Sequence, residues 1–453
     1  MKKDLKRQVK THSNYHSAKM FVSMIFLIGL VGMILYSYFP VLFNDFQISW
    51  DDHWMLLENP ILFHATWESV GQSFITFYHN QYSPVNQLYY LGIYHLAGFD
   101  PMAFHLGSIV IHVFNSILVF LLISKLIAHL LAKYTTYQRT WISFLVAVIF
   151  AIHPLQVESV AWISASKVIL YSTFTLMGLI SYLQYKMSTR KIYLIITFLS
   201  YAASLMVKEQ AVIFPLNLLL LDFIYHQYHV RSWNRNVWLE KIPFFLLGFL
   251  YWYWSAQHHV GLIELPGLYP WYDRIVFGSY SLMIYIVRYF APINLMYFYG
   301  YPMVAGESMP PGYYLYLGLA LIFMIYLIDL YRSRRWVPLF ALLFFVINIL
   351  LVLHILPVPR GNITADRYMY LSVIGLSAWS VWALGELYSF FKNTERSRWI
   401  IKGATGLVIV YLIGCMIYSR NLTRNWKDSD TLKAEVKEHL DSWTDAKRPG
   451  DEK

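Results

Sequence analysis

The chain has 453 residues, of which 57% are hydrophobic and 14% are charged, and its mean hydropathy is +0.44. A soluble protein of this length would divide into two or three domains and carry far more charge, so the composition excludes that class. The formal charge of +10 does not indicate a nucleic-acid partner, because the basic residues are segregated by loop, as membrane topology requires.

Apolar stretches of about 20 residues recur from Met20 to Tyr418, and each is long enough to cross a hydrocarbon layer about 30 Å thick. A β-barrel would instead show alternation over segments of about ten residues. We therefore predict an all-α polytopic membrane protein. It comprises a basic tail at residues 1–19, a transmembrane domain at 20–418 and a short polar tail at 419–453.

Lysine and arginine predict the topology. Six of them precede or include Lys19, and none follows until Lys125. This distribution predicts a cytoplasmic N-terminus and an outer first loop, residues 44–105. Placing the later basic loops on the inner side as well predicts eleven spans, with the C-terminus outside. The spans lie near residues 20–43, 106–126, 140–152, 166–185, 192–206, 210–227, 242–258, 312–331, 337–355, 367–387 and 400–418. A bacterial cytoplasmic membrane is favoured over the endoplasmic reticulum.

The apolar stretch 275–290 is predicted to be a re-entrant or interfacial helix, because a twelfth span there would place the basic cluster at 332–335 outside. In the first outer loop, apolar residues fall at helical spacing over Trp67–Tyr78 and over Leu88–Leu96. This pattern predicts two amphipathic helices at the membrane surface, the second beginning near Pro84.

Ionisable side chains near membrane depth are costly and therefore need a reason. They gather at the predicted outer ends of the spans: Asp51, Asp52, His153, Glu158, Lys167, Lys208, Glu209, Arg360, Asp366 and Arg367. Plainer alternatives stay open, namely a solvated acidic pair at 51–52, an internal ion pair at 208–209 or at 366–367, and a helix cap at 158. The loop aromatics are also typical of an interfacial belt, which needs no function.

Together these residues fit one kind of chemistry. A carboxylate in an aromatic-walled cleft can accept a proton from an acceptor hydroxyl, and an arginine or lysine can hold a phosphate. A base for the acceptor and a cation for the phosphate are together what an enzyme needs to transfer a group from a lipid phosphate that the membrane presents. No Walker or dinucleotide glycine motif indicates a nucleotide donor, and the histidines lack metal-ligand spacing, so we expect no metal and no cofactor besides the co-substrate.

Several segments have the order and spacing of a known family: Trp50-Asp-Asp-His-Trp-Met-Leu-Leu-Glu-Asn-Pro60, Gln81-Tyr-Ser-Pro84, Phe104-His-Leu, His153-Pro-Leu-Gln-Val-Glu-Ser-Val-Ala-Trp-Ile-Ser164, Lys208-Glu-Gln and Ala365-Asp-Arg-Tyr-Met-Tyr-Leu371. Over roughly residues 20–430 the chain resembles the GT-C glycosyltransferases that use polyprenyl-phosphate sugars. The nearest resemblance is to the protein O-mannosyltransferases, especially the transmembrane-and-tetratricopeptide branch and its bacterial relatives.

The resemblance implies that Asp51 and Asp52 form the catalytic centre. It also implies that Asp366-Arg367-Tyr368 corresponds to the family's acidic–arginine–aromatic motif. We assign contact with the donor phosphate to Arg367, Lys208 and Lys167. Supporting roles are assigned to Glu158, His153, Glu209, Asp366 and Tyr370.

The expected reaction transfers a hexose, with mannose the first expectation, from a polyprenyl phosphate to an outer hydroxyl of a protein Ser or Thr or of a glycolipid. Two departures bear on this. The family's Arg-Ala-Asp is replaced by Ser166-Lys167-Val168, and the segment 424–432, which resembles a lead-in to tetratricopeptide repeats, is followed by only 21 residues, 433–453. The alternatives are a transporter or flippase and a non-catalytic partner subunit with the same fold.

Overall fold

The computed structural model describes residues 24–63, 66–131, 134–229, 235–258, 269–356, 361–392 and 397–447. The predicted basic tail at 1–19 and Arg360 lie outside these ranges. About 80% of the structure is helical and the described residues form no β-strand, which confirms the predicted all-α class.

The first half of the bundle runs from the first predicted span to the middle of the chain. Its helices are α1 Met24–Phe43, α2 Pro60–Phe63, α3 Trp67–Ser73, α4 Pro84–Ala97, α5 Pro101–Leu130, α6 Thr136–Ile152, α7 Val157–Ala161, α8 Ser166–Ser188, α9 Lys191–Leu205 and α10 Phe214–Tyr228. The second half consists of α11 Arg235–Leu239, α12 Ile242–His258, α13 Trp271–Phe290, α14 Tyr314–Arg332, α15 Trp336–Ile349, α16 Ser372–Phe391, α17 Ser397–Leu422 and α18 Ser429–Lys447.

Six helical segments of the described chain are long and apolar enough to cross a membrane. They are Met24–Phe43, Pro101–Leu130, Ile163–Ser188, Glu209–Tyr228, Pro311–Arg332 and Trp399–Trp426. A seventh crossing is possible where α6 is followed by Pro154–Ala161 with a bend of 57°. Two of the other predicted spans coincide with shorter apolar helices, α9 and Trp336–Val352. The chain is thus a helical membrane protein.

Local sequence explains several helix ends. The Asp100 side chain caps α5 by accepting from the Met102 backbone N–H at 3.0 Å, and Pro101 occupies the first turn. At the start of α6, Thr135 and Gln138 form a reciprocal capping box. Thr189 ends α8 in the left-handed conformation, with φ of 57°.

The bundle interior contains polar side chains that satisfy one another. The Tyr370 hydroxyl lies 2.7 Å from Nδ1 of His112 and accepts a hydrogen bond from the Asn115 amide at 3.1 Å. Thr173 donates to the Asn115 carbonyl at 2.7 Å, which joins α5 to α8. Buried polar groups without partners would be costly in this setting, so the network specifies how these segments meet.

Opposite ends of α8 carry different charge clusters. Lys167 and Lys186 are separated by about 30 Å of helix. At the Lys186 end, the buried Asp222 carboxylate contacts Lys186 at 2.8 Å and Lys241 at 2.7 Å, and Tyr182 donates to it. This buried group ties α8, α10 and the start of α12 together.

The other end of the bundle, which we call the loop end, carries the first loop. The Val85 backbone N–H donates to the carbonyl oxygen of Met206, the residue after α9, at 3.2 Å. Asn44, at the end of α1, donates to the Thr423 carbonyl after α17, at 3.0 Å. These contacts bring the segments that follow α1, α9 and α17 to a common face.

The first loop is helical, with different bounds from the predicted ones. The helix α3 ends at Ser73, so Phe77 and Tyr78 lie beyond it. Pro84 does begin α4, as the sequence suggested, but the preceding Ser83 side chain makes no capping hydrogen bond. Phe77 instead packs against Trp254 of α12, with ring centroids 4.8 Å apart.

The outer surface of the bundle is apolar. Leu315 of α14 is 66% exposed and Leu407 of α17 is 73% exposed. Contiguous apolar surface of this kind is unfavourable in water, and the hydrocarbon layer of a membrane would cover it.

The contact between α15 and α16 yields a stability prediction. A methyl group on Gly375 would lie 2.5 Å from the Ala341 carbonyl oxygen and 2.7 Å from the Phe345 nitrogen, both of which are backbone atoms of α15. We expect Gly375→Ala to destabilise the protein by about 1–3 kcal/mol and to lower its melting temperature in detergent. Gly385→Ala, in open space on the same helix, is the control and should be neutral or slightly stabilising. Equal melting temperatures would contradict the close packing.

Candidate functional site

The two acidic residues of the first loop differ in their surroundings. Asp52 is fully buried, and its carboxylate accepts three hydrogen bonds. The Gln47 backbone N–H donates to one oxygen at 2.8 Å. The other oxygen accepts from the Ser164 backbone N–H at 2.9 Å and from the Ser164 hydroxyl. Asp52 therefore joins the first loop to the turn before α8, and both of its oxygens are occupied by protein donors.

Burial also alters the protonation of Asp52. Removal from water raises the pKa of this carboxyl from its ordinary value of 3.8 to about 6, while the hydrogen bonds from Ser164 and Gln47 act in the opposite direction. The Asp51 charge adds a smaller contribution in the same sense as burial.

Asp51 is half-buried and stands apart from these contacts. Within the described part of the chain, its carboxylate makes no hydrogen bond and no ion pair. Because a carboxylate without protein donors keeps its lone pairs available, Asp51 is the member of the pair that can accept a proton from another molecule.

Aromatic rings from four segments meet beside Asp51. Tyr297, in the loop after α13, contacts Trp50 at 4.6 Å, Trp162 at 5.4 Å and Trp426 at 5.7 Å between ring centroids. Trp162 and Trp426 also stack, at 5.7 Å. We call these four residues the aromatic cluster. It brings the first loop, the turn before α8, the loop after α13 and the segment after α17 together.

The predicted donor-phosphate residue Arg367 lies next to this cluster in a buried ion pair. Its Nη1 donates to one oxygen of Glu158, and its backbone N–H donates to the other at 2.7 Å. The guanidinium also lies over the rings of Trp162, at 5.3 Å, and Tyr368, at 5.1 Å. Glu158 thus orients Arg367 and compensates its charge, while Nη2 and Nε make no hydrogen bond to the described residues.

Asp366, the residue before Arg367, is the anion of a second ion pair. Asp366 is buried, accepts a hydrogen bond from the Tyr299 hydroxyl at 3.1 Å and lies 3.7 Å from Arg288 of α13. Burial raises the pKa of Asp366 to about 7, although the Arg288 charge lowers it. Arg288 also lies 3.5 Å above the Tyr299 ring. The 366–367 segment therefore fastens α7 on one side and α13 on the other.

Residues 81–85 of the first loop contact Lys167 directly and contact the chain segment that leads to Lys208. Lys167, in the first turn of α8, donates to the Gln81 side chain at 2.6 Å. Lys208 is 5% exposed, follows the Met206 that bonds to Val85, and lies 3.8 Å from the half-exposed Glu209 carboxylate. The structure thus brings the two cations to one part of the loop end.

Two predicted supporting residues have structural surroundings. Both ring nitrogens of His153 are engaged: Nδ1 accepts from the Leu155 backbone N–H at 3.2 Å, which leaves Nε2 to donate to the Tyr289 carbonyl at 2.9 Å. The Tyr370 hydroxyl belongs to the interior polar network described above. The side chains of His153 and Tyr370 therefore make hydrogen bonds within the bundle and stabilise its packing.

Sequence reasoning did not single out Tyr297, Ser164, Trp426 or Arg288 as site residues. Arg288 is a cation inside an apolar stretch, which is a usable signal for function or pairing. Tyr297 stands in the aromatic run Tyr297-Phe-Tyr-Gly-Tyr301, where no spacing distinguishes it. Within the described residues, no cluster of three His, Cys, Asp or Glu side chains is arranged to hold a metal ion.

Comparison of the chain with protein-family models, with curated proteins and with solved structures found no match.

The raised pKa of Asp52 predicts a pH dependence of stability. Its folded-state pKa of about 6 exceeds the ordinary value of 3.8, so the associated stabilisation is complete below 3.8 and is lost as the pH rises through 6. Asp52→Asn lacks this titration. Between about pH 5 and about pH 7, we expect wild-type protein to lose about 1 kcal/mol of stability relative to Asp52→Asn, measured as melting temperature.

Glu68→Gln removes an exposed carboxylate from the same loop and serves as the control for a general effect of charge. A difference between wild type and Asp52→Asn that stays constant over this pH range would contradict titration of Asp52.

Proposed function

We propose that this chain is a membrane glycosyltransferase that moves a hexose from a polyprenyl phosphate to an acceptor hydroxyl. The observation that carries the proposal is the half-buried Asp51 carboxylate, which has no partner in the described chain and lies beside the aromatic cluster. Aromatic walls suit the apolar faces of a sugar ring, and a carboxylate among them suits proton acceptance.

In the proposed reaction, Asp51 accepts the proton of the acceptor hydroxyl as that oxygen attacks the anomeric carbon of the sugar. The bond from the anomeric carbon to the phosphate oxygen breaks on the opposite face, and its electron pair leaves with the polyprenyl phosphate. The configuration at the anomeric carbon is inverted. Asp52 acts indirectly, because its three hydrogen bonds fix the backbone from which Asp51 projects.

A leaving phosphate carries negative charge that nearby cations stabilise. Arg367 keeps donors beyond the one that binds Glu158, and Lys167 and Lys208 supply two further positive charges at the loop end. We assign contact with the donor phosphate to these three residues. Glu158 and Asp366 hold the 366–367 segment in place through their ion pairs. The Glu209 carboxylate partly compensates the positive charge of Lys208.

The proposed membrane arrangement has eleven crossings, with the N-terminus in the cytoplasm and the loop end outside, in a bacterial cytoplasmic membrane. The C-terminus then lies outside. Support comes from the distribution of basic residues and from the bonding of residues 423–429 to residues 44–49, because this contact requires both segments on one side.

The proposed role of Asp51 predicts a selective loss of catalysis. With purified chain and polyprenyl-phosphate mannose, we expect Asp51→Asn to lower the transfer rate at least about a hundredfold and to leave the melting temperature unchanged. Asp45→Asn makes the same chemical change at an exposed position six residues earlier and should transfer at the wild-type rate.

Full activity of Asp51→Asn would exclude it as the base. If wild-type chain transfers no hexose to peptide or glycolipid acceptors but moves a lipid-linked sugar across vesicle membranes, the transporter alternative replaces the enzyme. A chain that does neither alone, but is required for transfer by another protein, would be a partner subunit.

The two lysines yield a prediction about donor binding. We expect Lys167→Gln and Lys208→Gln each to raise the KM for polyprenyl-phosphate mannose by roughly tenfold, because each removes a charge near the phosphate. Lys427→Gln, whose side chain is 68% exposed, is the control. Unchanged KM values in both variants would remove the lysines from the donor site.

A further inference from the structure

Tyr297 is held more firmly than a residue of an ordinary loop. Its ring contacts three tryptophans, and its backbone carbonyl accepts a hydrogen bond from Asn362 at 3.3 Å. Two residues later, the Tyr299 carbonyl accepts from the Ile363 backbone N–H at 3.0 Å. Both the ring and the backbone are thereby positioned before any ligand arrives.

The hydroxyl of Tyr297, in contrast, makes no hydrogen bond to the part of the chain that the structure describes. The Tyr297 ring and the Arg367 guanidinium both contact the ring of Trp162, at 5.4 Å and 5.3 Å. Trp50, which precedes Asp51 in the chain, contacts the Tyr297 ring at 4.6 Å, so the phenol lies near both the proposed base and the arginine. Burial is the main cause of a raised pKa at this phenol, which therefore stays protonated and can donate a hydrogen bond at neutral pH.

Arg367 supplies a second set of donors at the same place. Only its Nη1 bonds to Glu158, and the remaining guanidinium N–H groups have no hydrogen-bond partner in the described chain. Glu158 holds Nη1, and the guanidinium lies over the rings of Trp162 and Tyr368, so the group is restrained before a ligand binds. A fixed neutral donor beside a fixed cationic donor suits an oxyanion that can accept several hydrogen bonds.

We propose that the Tyr297 hydroxyl donates a hydrogen bond to the phosphate of a polyprenyl phosphate, together with Arg367. The inference rests on the polyprenyl-phosphate ligand of the proposed function and adds a residue that determines its position. A carboxylate and a phosphate repel each other, and hydrogen bonds donated to the phosphate offset part of this repulsion.

Phosphate binding can be tested without catalysis. The probe is farnesyl phosphate, with farnesol as the matched ligand that lacks the phosphate, and binding to full-length protein in nanodiscs is measured by calorimetry. Tyr297→Phe keeps the ring in the aromatic cluster and removes only the hydroxyl. We expect Tyr297→Phe to weaken farnesyl phosphate binding by roughly tenfold and to leave farnesol binding unchanged.

Tyr272→Phe is the control, because it makes the same change in the first turn of α13, where the side chain is 57% exposed. It should bind both ligands as wild type does. A purely structural role for the Tyr297 hydroxyl would weaken both ligands alike and would overturn the proposal, as would unchanged affinity of Tyr297→Phe for farnesyl phosphate. Wild-type protein that binds the two ligands equally would overturn it too.

These experiments can reject the phosphate contact of Tyr297 and the glycosyltransferase function independently of each other. Selective weakening of farnesyl phosphate binding in Tyr297→Phe, with no hexose transfer by the wild type, would support the phosphate contact and reject the glycosyltransferase. Hexose transfer by the wild type, with unaltered farnesyl phosphate binding in Tyr297→Phe, would support the enzyme and reject the contact.

Discussion

The three hydrogen bonds accepted by the buried Asp52 carboxylate connect parts of the chain that are far apart in sequence. The donors are Gln47, just after the first long helix, and Ser164, just before α8. A buried carboxylate without donors would be strongly unfavourable, so the turn at Ser164 must be in place for the first loop to adopt its observed path. The position of Asp51, one residue away, depends on this constraint.

A second constraint acts from the opposite side of the site. Adjacent residues, Asp366 and Arg367, pair with a cation on α13 and an anion on α7. Breaking either buried pair leaves an uncompensated charge, which costs far more than an exposed ion pair contributes. The 366–367 segment therefore has one favourable position. Its Arg367 side chain is oriented by Glu158 without using all of its donors.

Helical class and membrane location were predictable from the sequence, because both follow from the length and composition of apolar stretches. The sequence also drew attention to Asp51 and Asp52, as acids in a loop without lysine or arginine, and their catalytic role stays a prediction. The difference between Asp51 and Asp52 was not, since it arises from Ser164, which lies 112 residues from Asp52 in the chain. Helical periodicity likewise extended α3 past Ser73, although Phe77 packs against Trp254 instead.

Pairings between charges were only partly accessible from sequence. Internal ion pairing at 366–367 was one of the alternatives that the sequence left open, and both residues do pair within the protein. The sequence did not indicate the partners, which lie on α13 and α7. Tyr297 gave no signal, because its significance comes from three tryptophans on three other segments. Long-range packing of this kind is fixed by tertiary structure, and local periodicity contains no information about it.

The contact between residues 423–429 and residues 44–49 has a consequence for biosynthesis. Gln47 donates its side chain to the Trp426 carbonyl at 2.8 Å, and Trp426 completes the aromatic cluster. A membrane protein emerges from the ribosome N-terminus first, so the first loop leaves long before α17. Until α17 has been inserted, the wall beside Tyr297 is incomplete. Assembly of the aromatic cluster therefore follows the insertion of α17, because Trp426 comes directly after this helix.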